Sequence, residues 1–455
     1  MSSERVVIIG GGFAGLSAAY TLMKRGVTPL LLEAGDRAGG RGKGETVDGF
    51  SLDMGAFVFT STYDTAFRLC EELGLPLVPS QMKFGHYRNG RWVTTTPEQS
   101  AWNMVRHLRT AITMGFLSPS GLRAGSRVMR QMYREEPYMS FASDSPLAEI
   151  DDDESFGDYL KRLRVPENLQ VTLKGPLDMI LGDPEPAGQA LMRAYIGETM
   201  LNDGRVSMPE RGIGSLSAAL ATHCADAIRV STPVRRVVVD DGMATGVVVD
   251  GETIEADVVI CAVPGTKVPD LVPELPDETR HALGTVSYST GCRVVIGLDH
   301  PPLPPGWHGA LFPEHDDTPL LLDRSVFLPA CAPPGKSLLD LLIGRDRAKE
   351  LIPLPDEEIK RELLGAARRK APPGSALPED DEGLFYRVYR WEDALCMGTP
   401  GMLAALANVP GQLAGSIDNL FLAGDYMGIP SVNGALSSGE RAASQAADLL
   451  ASRVN

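Results

Sequence analysis

Apolar residues fill positions 6–9, and three glycines follow at once. This run, Val-Val-Ile-Ile-Gly-Gly-Gly, predicts a fully buried strand that ends in a sharp turn. Beyond the turn, apolar residues recur at the i, i+3, i+4 and i+7 spacing of one helix face: Leu16, Ala19, Tyr20 and Met23. Gly26 ends this helix, and the apolar run at 29–32 predicts a second buried strand. The start of the chain therefore predicts a strand–helix–strand unit.

The glycines after the first predicted strand have the spacing of a dinucleotide-binding turn. Gly10 permits the sharp turn, Gly12 permits close approach of the backbone to a pyrophosphate, and Gly15 permits close packing of helix on strand. The pyrophosphate is expected at the helix N-terminus, where unpaired N–H groups point towards it. Glu33 ends the second strand, where an acidic side chain accepts hydrogen bonds from ribose hydroxyls. The pattern therefore predicts a dinucleotide site.

A second glycine-rich segment favours FAD over NAD. Gly39 and Gly40 allow close approach of the backbone, and Arg41 offers a planar fork of N–H donors to phosphate oxygens. Gly55 and Ala56 follow after a further short strand. Nicotinamide enzymes that share the first unit have no need of this extension, so we expect FAD as the cofactor.

These motifs resemble the superfamily of flavin-dependent amine oxidases, protoporphyrinogen oxidases and phytoene desaturases. Two further segments carry the resemblance, in the middle and near the end of the chain: 232–237 with 256–264, and 419–425 with 431–443. The resemblance implies that Val234 contacts adenine and that Asp425 binds the ribityl–phosphate region. It also implies that the closing helix points its N-terminus at the flavin, where its partial positive charge stabilises the anionic reduced form.

The resemblance also gives the expected contact residues of a non-covalent FAD. They are Gly10, Gly12, Phe13, Ala14, Gly15, Glu33, Ala34, Gly39, Gly40, Arg41, Gly55, Ala56, Val234, Gly424, Asp425, Val432, Asn433 and Ala435. Covalently flavinylated relatives place a Cys between a Trp and a Pro-Gly pair, which makes Cys396 a candidate tether. Cys396 lies closer to the Pro-Gly pair at 400–401 than that pattern requires, so we expect a free buried thiol.

The 455 residues are too many for one small core, so two domains are expected. The FAD motifs must converge on one parallel sheet, which predicts an α/β, Rossmann-like FAD domain with helices on the sheet, formed by 1–74, 210–265 and 405–455. The intervening segments are expected to form an inserted α+β substrate-binding domain: 75–209, mostly helical, and 266–404, which begins with a strand at 293–298.

Composition narrows the range of partners. The net charge of -16 argues against a nucleic acid, whose phosphates need a basic surface. Six scattered cysteines without a CxxC motif are typical of free thiols in a reducing compartment, so a cytoplasmic location is expected. His300, His308 and His315 lie in a Pro-rich stretch without regular ligand spacing, so no metal site is expected.

One basic stretch leaves two interpretations open. Its arginines lie among apolar residues between 104 and 134: Arg106, Arg109, Arg123, Arg127, Arg130 and Arg134. This pattern fits a basic amphipathic surface that rests on a membrane, but the lack of an aromatic-rich apolar face favours an outer helix pair with solvated arginines. Peripheral membrane contact and a homodimer both stay open at this point.

The resemblance also bears on the reaction. Amine-oxidising relatives flank the flavin with two aromatic rings, but this chain has Ser431 at one position and no ring after Trp391 at the other. Segments 84–92 and 385–391 resemble porphyrinogen oxidases and carotenoid desaturases more closely. We therefore expect removal of hydride from a C–C or conjugated C–N unit of a bulky apolar small molecule, with FAD supplying the chemistry. No second nicotinamide-binding unit is recognisable, so oxygen or a quinone is the expected electron acceptor.

Three alternatives remain, namely a flavin amine oxidase, a flavoprotein hydroxylase and a non-catalytic FAD-binding module. Arg293 and Trp391 are the candidate catalytic residues. Arg293 aligns without a gap with a Lys that, in the family, holds a water beside flavin N5. A cation there would stabilise negative charge on the flavin, and Arg would do so with a fixed fork of donors. The alternative is an Arg on the solvent face of an edge strand.

Overall fold

The computed structural model describes residues 5–81, 83–94, 112, 118–181, 183–201, 205–313, 315 and 317–454. The strands are β1 (Val6–Ile9), β2 (Leu30–Leu32), β3 (Gly44–Val47), β4 (Phe50–Asp53), β5 (Phe59–Thr60), β6 (Leu77–Gln81), β7 (Phe84–Arg88), β8 (Arg91–Thr94), β9 (Arg205–Pro209), β10 (Ile228–Arg229), β11 (Val234–Asp240), β12 (Met243–Val249), β13 (Glu252–Glu255), β14 (Val258–Cys261), β15 (Gly291–Leu298), β16 (Gly309–Leu311), β17 (Leu320–Asp323), β18 (Ser337–Ile343), β19 (Phe385–Trp391) and β20 (Leu420–Leu422).

The helices are α1 (Phe13–Lys24), α2 (Asp64–Glu72), α3 (Pro119–Arg134), α4 (Phe156–Arg162), α5 (Glu167–Leu181), α6 (Gln189–Leu201), α7 (Gly214–His223), α8 (Val268–Leu271), α9 (Asp277–Leu283), α10 (Arg324–Phe327), α11 (Arg345–Leu351), α12 (Asp356–Arg369), α13 (Met402–Ala407), α14 (Val409–Leu413) and α15 (Val432–Val454).

One of the two large sheets is parallel and has five strands in the order β10-β2-β1-β14-β20. All residues of β1 and β14 are buried, as expected for parallel strands that are covered on both faces. The strand and helix predicted at the start of the chain are confirmed as β1 and α1. The α/β class, with a Rossmann-like sheet and helices against it, is confirmed as well.

The second large sheet has seven strands in the order β19-β15-β18-β17-β16-β7-β8. Neighbours are antiparallel except β16 and β7, which pair in parallel and so join residues 84–94 to the much later strands. β15 lies inside the sheet between β18 and β19, and α11 and α12 pack against it. All eight residues of β15 are buried. The sheet therefore has its own apolar core, separate from that of the parallel sheet.

The strands of the two large sheets come from the segments that the sequence assigned to two domains. A small sheet crosses one predicted boundary, because β9 pairs with both β5 and β6. The apolar pattern did not predict α8 and α9, the two helices that precede β15, since each has seven residues or fewer. The exact division into domains stays a proposal.

The first and last helices, α1 and α15, pack along each other. A Cβ atom added at Gly439 of α15 would overlap the carbonyl oxygen of Ala14 in α1. Ser17 Oγ also donates a hydrogen bond of 2.8 Å to the carbonyl oxygen of Leu436. Glycine at 439 therefore permits a backbone contact that no other residue would allow.

α3 carries part of the basic stretch. Arg123, Arg127, Arg130 and Arg134 are exposed on it, whereas Arg106 and Arg109 lie outside the described residues. None of the described helices combines the length and the apolar character that a membrane crossing requires.

In the same described part of the chain, no three His, Cys, Asp or Glu side chains are grouped as metal ligands. All six cysteines are buried free thiols.

Candidate functional site

The turn between β1 and α1 requires glycine at positions 10 and 15 and leaves open space at position 12. Gly10 has a φ of +98°, and a Cβ there would lie 2.8 Å from the carbonyl oxygen of Ala262. A Cβ at Gly15 would overlap the carbonyl oxygen of Gly10. No atom lies within 4 Å of a Cβ built at Gly12, and no side chain caps the helix that Gly12 precedes. The first-turn N–H groups therefore face open space in which an anionic phosphate fits.

The second glycine-rich turn lies directly on the first. The N–H of Gly39 donates a hydrogen bond of 2.7 Å to the carbonyl oxygen of Gly11. A Cβ at Gly40 would be only 3.0 Å from Cα of Gly12. Gly39 and Gly40 have φ values of +125° and +52°, which favour glycine. This arrangement brings Arg41 to the same opening as the N-terminus of α1.

Glu33 is held by the turns around it. Its two carboxylate oxygens accept hydrogen bonds of 2.7 Å from the N–H groups of Gly11 and Gly35. Each oxygen keeps a second lone pair, so ribose hydroxyls can still donate to it. The N–H of Thr232 donates to the carbonyl oxygen of Glu33 at 2.8 Å, which brings the start of β11 at Val234 to the adenosine end expected for FAD. Ala34, between these groups, is exposed.

Asp425 forms the centre of a polar cluster that includes Arg41. Arg41 donates two hydrogen bonds to its carboxylate, at 2.8 and 3.0 Å, and Tyr288 Oη donates a third at 3.0 Å. The Tyr288 ring lies 5.0 Å from the guanidinium carbon of Arg41. Burial and the charge of Asp425 raise the pKa of Tyr288, so its hydroxyl stays protonated and remains a donor. Sequence reasoning did not select Tyr288, because a tyrosine in a loop carries no motif.

The residues present therefore fit FAD. The two glycine turns and the uncapped N-terminus of α1 would hold the pyrophosphate. Glu33 would bind the ribose, and Arg41 together with Asp425 would bind the phosphate and ribityl groups. Gly424 adopts a φ of +157°, and Ser438 Oγ accepts its N–H at 3.0 Å, which fixes the turn that presents Asp425. The role of each of these residues in binding FAD is a proposal.

The closing helix begins where the sequence predicted it. Ser431 Oγ accepts the N–H of Gly434 at 2.9 Å and so caps α15. The buried amide of Asn433 bonds to Asp64 Oδ1, the N–H of Ala66 and the carbonyl of Phe141, at 2.7 to 3.0 Å. This side chain anchors α15 on α2, so the main chain of Asn433 is the part that remains available to bind a flavin. Val432 and Ala435 belong to the same first turn.

Cys396 is buried next to this cluster. Burial, and then the charge of Asp425, raise the pKa of Cys396 well above its usual value. A protonated thiol is a poor nucleophile, so the structure supports a non-covalent flavin.

We therefore expect acid precipitation to release all of the yellow colour into the supernatant, because a buried, protonated Cys396 thiol is not expected to form a thioether with FAD. The measurement is the flavin absorbance of the supernatant and of the washed pellet, for the unaltered protein and for Cys396→Ala. Colour that stays in the pellet and disappears in Cys396→Ala would show a covalent link. Cys292→Ala, at another buried thiol, is the control.

Arg293 and Trp391 lie together beneath residues 53–57. Arg293 is 2% exposed and donates to Asp340 through Nε and Nη2, and to the carbonyl oxygen of Gly55 through Nη1 at 3.0 Å. Trp391 Nε1 donates to the carbonyl oxygen of Met54 at 2.9 Å. The alternative that placed Arg293 on the solvent face of an edge strand is wrong, because β15 is buried inside the sheet. Both candidate catalytic residues thus donate hydrogen bonds to main-chain carbonyl oxygens.

An aromatic cluster lies beside the start of α15, and sequence reasoning missed it. The ring centroids of Tyr63 and Phe141 are 6.1 Å apart, and those of Phe141 and Tyr195 are 4.8 Å apart. Tyr195 Oη donates to the carbonyl oxygen of Pro430 at 2.9 Å, directly before Ser431. The three rings come from different parts of the chain, so no spacing in the sequence could indicate them.

Comparisons with known proteins agree with this geometry. The profile of the family described as flavin containing amine oxidoreductase matches residues 13–447. The coproporphyrinogen III oxidase of Bacillus subtilis is 22% identical over 484 residues, covering 94% of this chain and 95% of the relative. The flavin-containing amine oxidase of Oncorhynchus mykiss is 22% identical over 467 residues, covering 96% and 84%.

Solved structures agree at the level of the fold. Cyclohexylamine oxidase from Brevibacterium oxydans superposes with a TM-score of 0.74 at 20% identity, covering 99% of each chain. This likeness shows the fold alone, whereas the profile match spans nearly the whole chain. The protein belongs to the flavin-containing amine oxidoreductase family and is an FAD-dependent oxidoreductase.

Proposed function

We propose that this FAD-dependent oxidoreductase dehydrogenates a C–C or conjugated C–N bond in a bulky apolar small molecule of porphyrinogen, polyene or similar type. FAD, held by the glycine turns, Glu33, Arg41 and Asp425, would supply a two-electron acceptor for a substrate hydride, with oxygen or a quinone as the final oxidant and the accompanying substrate proton lost to solvent. The contribution of this chain is to bind the cofactor, orient the substrate and exclude water.

The aromatic cluster beside α15 is the observation that carries this proposal. Tyr63, Phe141 and Tyr195 pack together next to Pro430 and Ser431. Phe141 and Tyr63 are buried, at 1% and 7% exposed, and the half-buried Tyr195 offers a ring face. Flat conjugated substrates pack well on such faces. The cluster lies at the helix end that the family resemblance directs to the flavin.

The carboxylates near this cluster are already engaged. Glu198 is 4% exposed and accepts hydrogen bonds of 2.9 to 3.2 Å from the Ser61 hydroxyl and from the N–H and hydroxyl of Thr62. Asp425 is held by Arg41 and Tyr288. Each of these carboxylates already accepts three hydrogen bonds, so the environment favours a neutral substrate over an ammonium.

Oxidation of a primary or secondary amine is the second candidate. It is supported by the relatives, since one of those compared is a flavin-containing amine oxidase. Ser431 supplies no aromatic ring, but Tyr63 and Tyr195 could guide an amine from neighbouring elements. A hydroxylase would differ from both, because NAD(P)H alone would reduce its flavin.

The test is anaerobic mixing of the FAD-loaded protein with porphyrinogens, polyenes, amines and NADPH, one at a time, with the flavin absorbance followed. We expect bleaching with a porphyrinogen or a polyene and none with NADPH. Readmission of oxygen, or addition of a quinone, then identifies the acceptor by the faster return of colour. Bleaching by amines alone would replace this proposal with the second candidate.

The exposed arginines of α3 support a separate proposal about location. Arg123, Arg127, Arg130 and Arg134 follow an i, i+4, i+7, i+11 stripe, and Leu122 and Tyr133 beside them are 53% and 63% exposed. Such a face suits peripheral contact of a cytoplasmic protein with anionic lipid. Co-sedimentation with phosphatidylglycerol vesicles would test it. A homodimer stays a prediction.

A further inference from the structure

Residues 53–57, which we call the strap, run from the last residue of β4 towards β5 and contain the expected flavin contacts Gly55 and Ala56. On one side the strap lies on the second glycine-rich turn. The N–H of Met54 donates to the carbonyl oxygen of Lys43 at 2.9 Å, and the N–H of Ala56 donates to that of Arg41 at 3.0 Å. The strap is therefore hydrogen-bonded at two points to the segment that presents Arg41.

On its other side the strap is held by three side chains, which we call the clamp. Trp391 of β19 donates to the carbonyl of Met54 at 2.9 Å, Arg293 of β15 to that of Gly55 at 3.0 Å, and Arg324 of α10 to that of Phe57 at 2.9 Å. The clamp thus links the seven-stranded sheet to the cofactor segment through main-chain carbonyls.

Buried ion pairs fix the clamp in place. Arg293 pairs with Asp340 and Arg324 pairs with Asp53, and all four side chains are at most 3% exposed. Asp53 also accepts the N–H of Gly214 at 2.8 Å. The two guanidinium carbons lie 5.7 and 5.8 Å from the ring centroid of Phe57. Buried ion pairs of this kind contribute little net stability, so a positional role accounts for them better.

We propose that the clamp positions the strap against bound FAD and thereby sets the affinity of the protein for the cofactor. The peptide unit between Gly55 and Ala56 is held at both ends, by Arg293 at its carbonyl and by the Arg41 carbonyl at its N–H. A displaced guanidinium therefore displaces Arg41 as well. Arg293 and Trp391 are in this way positioning residues that act through the strap. This inference rests on FAD binding and not on the identity of the substrate.

The test compares Arg293→Lys and Trp391→Phe with Arg390→Lys as the control. Arg293→Lys keeps the charge beside Asp340 but loses the donor to Gly55, and Trp391→Phe keeps a ring but loses the N–H. Arg390 precedes Trp391 on β19 and donates to the carbonyls of Ile352 and Leu354 at 2.9 and 2.7 Å, away from the strap. The control therefore loses similar hydrogen bonds from the same sheet.

The readouts are the dissociation constant of FAD from the apoprotein, by quenching of flavin fluorescence, and the visible absorption bands of the saturated protein. Both are measured well below each variant's melting temperature. We expect roughly fivefold weaker binding for Trp391→Phe, about ten- to a hundredfold weaker binding for Arg293→Lys, and shifted bands in both. The control should bind FAD within about twofold of the unaltered protein, as expected for a change that leaves the strap's contacts intact.

Unchanged FAD affinity and bands in Trp391→Phe and Arg293→Lys would overturn the inference, even if both variants melt earlier. An equal loss of affinity in Arg390→Lys would also overturn it, because the cause would then be a general weakening of the sheet. If Arg293→Lys does not fold, Trp391→Phe decides alone. No substrate enters the experiment, so the result is independent of the proposed reaction.

Discussion

Arg324→Met is expected to lower the free energy of unfolding of the FAD-loaded protein by about 3–5 kcal/mol. Arg324 is 2% exposed, and its removal leaves the carboxylate of Asp53 buried with the N–H of Gly214 as its remaining described partner. An uncompensated buried charge costs far more than the ion pair contributes. The Phe57 carbonyl loses its donor as well.

The measurement is urea unfolding followed by both tryptophan fluorescence and circular dichroism, so that a single transition can be verified. Arg68→Met is the matched control, because Arg68 pairs with Glu440 and Glu72 but its side chain is 43% exposed. An exposed pair of this kind contributes about 0–1 kcal/mol. Equal effects of the two substitutions would refute the assigned role of the buried pair.

Gly439→Ala is expected to remove most of the bound FAD. The added Cβ overlaps the carbonyl oxygen of Ala14, so α15 must move away from α1. α1 is expected to hold the pyrophosphate and α15 the flavin ring, so their separation alters both ends of the site. We expect at least about tenfold weaker FAD binding, with a loss of stability of about 1–3 kcal/mol from overpacking.

The ratio of flavin to protein after gel filtration measures this effect. Gly125→Ala in α3 is the control, since no atom lies within 4 Å of a Cβ built there. That change replaces a helical glycine in open space and should raise stability by up to about 1 kcal/mol without loss of flavin. Full FAD content in Gly439→Ala would show that the contact between α1 and α15 does not support the site.

The sequence predicted the cofactor unit well because its constraints are local. The turn at Gly10, the helix from Phe13 and the acid at Glu33 follow one another within a few residues, and each has a steric or electrostatic reason. The parallel sheet and the family membership are confirmed on that basis. The β15 strand was likewise expected from its apolar run, although the two helices before it were not.

The clamp and the aromatic cluster could not be predicted, because their members are distant in the chain. Arg293 and Asp340 are 47 residues apart, and Arg324 and Asp53 are 271 apart. A single sequence gives no pairing between such positions. Alignment with a family Lys selected Arg293 as a candidate, but its ion-pair partner, Asp340, is visible only in the fold.

The contact between α1 and α15 has a consequence for biosynthesis. Ser17 and Leu436 are 419 positions apart, so α1 is synthesised long before the helix that it packs against. Until α15 leaves the ribosome, the apolar face of α1 and the glycine turns have no complete surface to pack on, and chaperones can bind there. Contacts this distant in the chain form slowly, because a long loop must close before they contribute. Because the expected FAD site uses both helices, we expect it to be complete only once α15 has been synthesised, so that the supply of FAD acts on a late step of folding.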